Sequence, residues 1–175
     1  MTDMRLLMAV ILLLTTSSLL AAQSNNLQMD GALVFEPCTL DSTINTLEVD
    51  FGTVIKKGLY KDHRTYAVPF VITLTDCDTS LGKIVNLTLS GPESNGLPGY
   101  LATTGAGSNG IAVGIETPEG KLLPINQLSP AYKLQDNSTI IPLQAYVEAE
   151  PDAIKHQTLV AGDFSATATL EASYP

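Results

Sequence analysis

Histidine and cysteine are scarce in this sequence, two of each, and basic side chains are outnumbered two to one by acidic ones, nine against eighteen. Each shortage removes a kind of chemistry. His63 and His156 stand apart, with no His-Glu-x-x-His spacing and no cysteine beside them, so no zinc or copper set is clustered. With so few histidines, no Ser/His/Asp grouping has a recognisable local setting; no catalytic residue, metal ion or cofactor is expected. The net charge is −9, without the Lys/Arg cluster that neutralises phosphates, which excludes nucleic acid and anionic membrane as partners. Acidity of this kind favours solubility. Cys38 and Cys77 form no Cys-x-x-Cys motif, so a redox role falls away as well.

Two short patterns invite chemistry and lack its setting. Gly105-Ala-Gly107-Ser-Asn-Gly110 has the Gly-x-Gly-x-x-Gly spacing, but a β-like run follows it instead of the helix whose N-terminus a pyrophosphate needs; it reads as a flexible loop. Asp76 and Asp78 flank Cys77 and read as a surface turn more readily than as a cation site. The acceptor triplets Asn86-Leu-Thr88 and Asn137-Ser-Thr139 arise often by chance.

What the sequence does hold begins with an export signal over residues 1–22. Arg5 gives a positive start, Leu6 to Leu14 an apolar core too short to span a bilayer, and Ala21 and Ala22 a small-residue cleavage region. About 150 residues remain, enough for one domain with its own core. In an exported chain the two cysteines read as one disulfide, with two buried free thiols the alternative.

After the signal the apolar residues recur with period two and never with a helical period. Leu27, Met29, Gly31, Leu33 and Phe35 share one parity. Val49 and Phe51 follow, closed by Gly52; residues 56–64 form a charged connection; Val68 to Leu74 alternate into Cys77, with Pro69 suggesting an edge. Val85 to Leu89, Ile111 to Ile115 and Ile141 to Val147 repeat the pattern, with turn residues between them. Several short alternating strands predict an all-β sandwich.

The last stretch, Gly162 to Pro175, alternates most regularly: Phe164, Ala166, Ala168, Leu170, Ala172 and Tyr174 against Ser165, Thr167, Thr169, Glu171 and Ser173. One face of such a strand is apolar, and an edge left open beside it has to be covered. The expected cover is another polypeptide.

These residues resemble the fimbrial subunits (pilins) assembled by the chaperone-usher pathway in Gram-negative bacteria. The resemblance rests on Gly31 ahead of Pro37-Cys38, on Val49-Asp-Phe-Gly52 and on Phe70 to Asp78. It continues in Gly110 to Ile115, Ile141 to Tyr146 and Gly162 to Leu170, and includes Tyr174 as penultimate residue and Gly162 fourteenth from the end. It implies an incomplete immunoglobulin-like β-sandwich completed by a donated strand, with a donor-strand extension at residues 23–37 and a pilin domain at residues 38–175.

Under that resemblance Leu27, Met29 and Leu33 are the donor plugs, with Gly31 where the receiving groove is narrow. Gly162, Phe164, Ala166, Ala168, Leu170 and Tyr174 belong to the receiving groove and to chaperone recognition. The implied partners are a periplasmic pilus chaperone, an outer-membrane usher and neighbouring fimbrial subunits, and the implied location is a fimbria outside the cell, reached through the periplasm. The short stretch before Cys38 points to a minor or adaptor subunit; a single-domain adhesin binding a host receptor through the assembled fimbria is the alternative.

Overall fold

The computed structural model describes residues 35–40 and 47–175. The expected export signal at residues 1–22 and the expected donor residues Leu27, Met29, Gly31 and Leu33 lie outside the described residues. Within them the strands are β1 (Thr39–Leu40), β2 (Val68–Cys77), β3 (Ile84–Ser90), β4 (Leu101–Ala102), β5 (Ile111–Glu116), β6 (Tyr132–Lys133), β7 (Asn137–Ala149) and β8 (Thr169–Ser173). They form two antiparallel sheets, one ordered β1-β2-β7-β5-β4 and the other β6-β3-β8.

Period-two alternation places the core. Ile72 and Leu74 of β2, Ile141, Leu143 and Val147 of β7, and Val113 and Ile115 of β5 are buried together with Val85 and Leu87 of β3. Each such side chain contributes about 1.5–3 kcal/mol on leaving water. Cys38 and Cys77 form a disulfide that ties the residues just before β1 to the end of β2.

Two prolines fall where a missing donor does least harm. Pro69 lies beyond the reach of β1, which pairs only Leu74 and Thr75, and Pro142 lies beyond β5, which joins β7 from Gln144 onward. Each therefore has an open side among the described residues, as a residue without an N–H requires.

β5 is buried on both faces because a polar cluster covers its outer side. Arg64 grips the buried Glu116 through two hydrogen bonds of 2.8 and 3.1 Å, and Gln144 donates to the same carboxylate at 2.9 Å. The Arg64 guanidinium lies 3.4 Å from the centre of the Tyr146 ring, which meets Tyr100 edge-on. Gly114 makes room for this pair, since a Cβ there would stand 2.5 Å from Tyr146 and 2.7 Å from Tyr100. Burial, then the hydrogen bonds with Tyr146 and Glu148, hold the Tyr100 phenol far above its ordinary range.

Several expectations are revised. The charged connection at 56–64 contains a helix, α1 (Lys56–Asp62), too short to show a period but with Leu59 buried against the core and His63 closing it in the left-handed conformation. A second helix, α2 (Pro151–His156), opens with proline at its first turn, where no N–H is needed. Residues 47–52 alternate without forming a strand: Val49 and Phe51 pack inward, while the Asp50 carboxylate accepts the Gly52 N–H at 2.7 Å in a turn. Alternation reports an inward and an outward face; it does not supply a partner backbone. For the same reason the final strand is shorter than its pattern, five residues, with Ser165 bridging separately to Thr104.

Candidate functional site

The site is the side of β8 that faces away from β3. β8 pairs with β3 from Ser90–Thr169 to Asn86–Ser173, and among the described residues no strand pairs with its other edge. Among the described residues, the backbone groups on that edge have no strand partner.

The side chains beneath tell the same story. Phe164, Ala166, Ala168, Leu170, Ala172 and Tyr174 all point inward and touch the core, yet every one is only half-buried, while the intervening residues are exposed. Inward residues of β7, by contrast, are covered completely: Ile141 and Leu143 are each 1% exposed and Val147 is 0%. Six inward apolar side chains in a row thus lack the full cover that the inward residues of β7 have. Ala166, Ala168 and Ala172 keep this face shallow between the larger Phe164, Leu170 and Tyr174.

Both ends are fixed. At one, the Tyr174 hydroxyl donates to the Cys38 carbonyl at 3.0 Å, and a cavity of about 220 Å³ opens between Cys38, Leu40, Leu170 and Tyr174, with Glu36 at its rim. Burial, with the Glu36 charge adding to it, raises the Tyr174 phenol above its usual pKa. At the other end Phe164 stacks on Phe51 with ring centres 6.2 Å apart. The floor from Phe164 to Tyr174 spans about 33 Å at roughly 3.3 Å per residue, the length of a strand of about ten residues.

Gly162 lies just outside that second end, and its role is backbone contact. The Gly107 N–H donates to the Asp163 carbonyl at 2.9 Å, and Thr104 and Ser165 exchange backbone hydrogen bonds of 2.8 and 2.9 Å. A Cβ on Gly107 would stand 2.1 Å from the Gly162 oxygen, and one on Gly162 would be 2.9 Å from both the Ala106 Cβ and the Gly107 nitrogen. The Gly-x-Gly pattern that reads as a flexible loop is therefore a close backbone clasp on the start of the groove floor. Its signal in the sequence was present, but the partner glycine is 55 residues away.

Asp76 is an exposed residue at the irregularity near the end of β2, and Asp78 opens the surface turn after it, accepting from the Ser80 N–H at 2.9 Å and the Ser80 hydroxyl at 2.6 Å; among the described residues no cluster of three metal-ligating side chains occurs.

Two antiparallel sheets, with one edge of the last strand unpaired among the described residues, make the immunoglobulin-like sandwich of the pilin class. The chain superimposes on the P pilus rod subunit PapA with a TM-score of 0.70 at 23% identity, covering 80% of this chain and 100% of that one. A chaperone-usher pilus structure gives 0.68 at 22% identity, covering 88% and 97%. In sequence it is 36% identical over 160 residues to the fimbrial adapter PapK of Escherichia coli, 87% of this chain and 89% of that protein. The chain belongs to the fimbrial protein family, whose model matches residues 27–175, and it is a fimbrial structural subunit.

Proposed function

We propose that this subunit polymerises by donor-strand exchange, receiving in the groove beside β8 first a strand of a periplasmic chaperone and then, at an outer-membrane usher, the N-terminal extension of a neighbouring subunit. Its own residues 23–37 serve the next acceptor in turn. The observation that carries this reading is the half-buried floor from Phe164 to Tyr174 beside a strand edge that pairs with nothing among the described residues.

The energetics follow from filling that floor. Leu27, Met29 and Leu33 of a donor, at about 1.5–3 kcal/mol each, supply roughly 5–9 kcal/mol of apolar burial, and main-chain hydrogen bonds to β8 fix the strand. A chaperone strand pairs parallel to β8 and a subunit extension antiparallel. Parallel pairing is the weaker per residue, so replacement runs downhill without ATP. Pro175 offers no backbone donor to either guest.

The test is a peptide of residues 23–35 added to the chain lacking them. Binding with a raised melting temperature is expected, and a peptide carrying Leu33→Asp should fail, since an unpaired carboxylate would be buried. Equal binding of both peptides, or of neither, would overturn the proposal.

A further inference from the structure

A second opening in the sandwich lies away from the groove. The segment 121–130 crosses from one sheet to the other: the Leu123 N–H donates to the Ile115 carbonyl of β5 at 2.8 Å, and the Asn126 and Ser129 N–H groups donate to the Leu89 and Leu87 carbonyls of β3, each at 2.8 Å. Residues 126–129 therefore lie along the edge of β3 opposite β8. Behind this crossing is a cavity of about 400 Å³, walled by Leu87 and Leu89 of β3, Leu143 of β7, and Leu123 and Leu128 of the crossing segment. Leu128 is 62% exposed and stands at its mouth.

Three polar residues share the wall, Lys121, Gln127 and Ser129. The Ser129 hydroxyl is spent, accepting from the Leu87 N–H at 2.8 Å and donating to the Pro130 carbonyl at 2.8 Å. Lys121 and Gln127 are exposed, and among the described residues their side chains have no hydrogen-bond or ion-pair partner. No acidic side chain lines the cavity among the described residues. Of the acids nearest Lys121 in sequence, Glu116 is held by Arg64 and Gln144, and Glu119 is exposed outside the wall. An ammonium only donates, and an amide donates as well as accepts, so the mouth suits an anionic head and the interior an apolar tail.

We infer that this cavity binds a free single-chain anionic amphiphile, an alkyl carboxylate whose tail lies among the leucines and whose head meets Lys121 and Gln127. Ligand cavities are commonly about 300–1,000 Å³ and mostly apolar, with a few polar groups that fix orientation. One of about 400 Å³ admits a single short chain and no bilayer. The site is separate from strand exchange, because it opens on the side of β3 away from β8 and no residue of β8 lines it. Leu87 and Leu89 stand opposite Ala172 and Leu170 in the β3–β8 register, so the cavity wall adjoins the groove floor without being part of it.

The experiment titrates octanoate, decanoate and decanol into the full chain, with binding followed by calorimetry and by the leucine methyl signals in NMR. Decanoate should bind more tightly than octanoate by about fourfold for each added methylene, and the methyl signals of Leu89, Leu123 and Leu128 should move. Lys121→Glu should weaken decanoate about fivefold, the upper range for an exposed ion pair, and leave decanol unchanged. Lys121 is exposed, so the variant should keep the melting temperature of the unaltered chain. Absence of binding, methyl shifts confined to Leu170 on the groove floor, or equal decanoate affinity in the Lys121→Glu variant would overturn the site.

Discussion

Replacing Gly107 by alanine tests whether the glycine clasp holds the groove floor in place. The new Cβ would lie 2.1 Å from the Gly162 carbonyl oxygen and 2.6 Å from its carbon. Both contacts are with backbone, so no rotamer change relieves them and the two segments have to part. Parting them stretches the Gly107–Asp163 hydrogen bond and strains the Thr104–Ser165 pair beside it. Overpacking of this kind costs about 1–3 kcal/mol and each weakened hydrogen bond about 0.5–1.5 kcal/mol, which together give a loss of about 2–4 kcal/mol and a melting temperature lower by about 5–15 °C. Urea and thermal unfolding of the full chain measure both quantities. Gly58→Ala is the control: it stands in α1 with nothing within 4 Å of its added Cβ and should gain up to about 1 kcal/mol from helix propensity. If Gly107→Ala unfolds within about 0.5 kcal/mol of the unaltered chain, the usual range of an inert surface change, the close backbone contact is not what secures the floor.

Removing both cysteines by Cys38→Ser and Cys77→Ser opens a loop with a sequence separation of 39 and should cost about 4 kcal/mol by loop entropy; a loss under about 1 kcal/mol in urea unfolding would contradict that account. Glu116→Gln releases the Arg64 grip on a buried carboxylate; because Arg64 reaches water, a loss of about 2 kcal/mol is expected, below the usual 3–5 for a fully buried pair, and a double-mutant cycle with Arg64→Met should recover most of it. Tyr100, Tyr146 and Tyr174 have phenols whose folded-state pKa is raised above the ordinary 10.0, burial being the first cause in each. The folded state thus keeps protons that the unfolded state loses, so the stability they contribute is complete below pH 10 and falls as pH rises beyond it. Unfolding followed against tyrosinate absorbance should coincide above that pH; phenols ionising while the fold stays intact would refute it.

How much of this could be read in advance differs from element to element. Alternation in 68–74, 85–89, 111–115 and 141–147 marked strands that the fold contains, because a half-buried strand writes its inward face directly into the sequence. The same pattern at 47–52 gave no strand, and the helices at 56–62 and 151–156 left no period, since one or two turns hold too few residues to repeat. The polar cover over β5 was invisible for another reason: Arg64, Glu116 and the β7 pair Gln144 and Tyr146 come from three separate stretches and meet only in the folded chain.

The chain's own order of residues settled that the protein is an all-β sandwich, which side of each strand faces inward, and that the last of these faces is apolar along its whole length, because hydrophobic burial acts on every second side chain wherever the strand ends up. Tertiary structure alone decided that this last face remains half-covered, that Gly107 rests on Gly162, and that Lys56 and Tyr60 meet Leu159, about a hundred residues further along the chain. Those are relations between distant backbones, set by which strands pair and which edge is left without a neighbour, and no local pattern carries them.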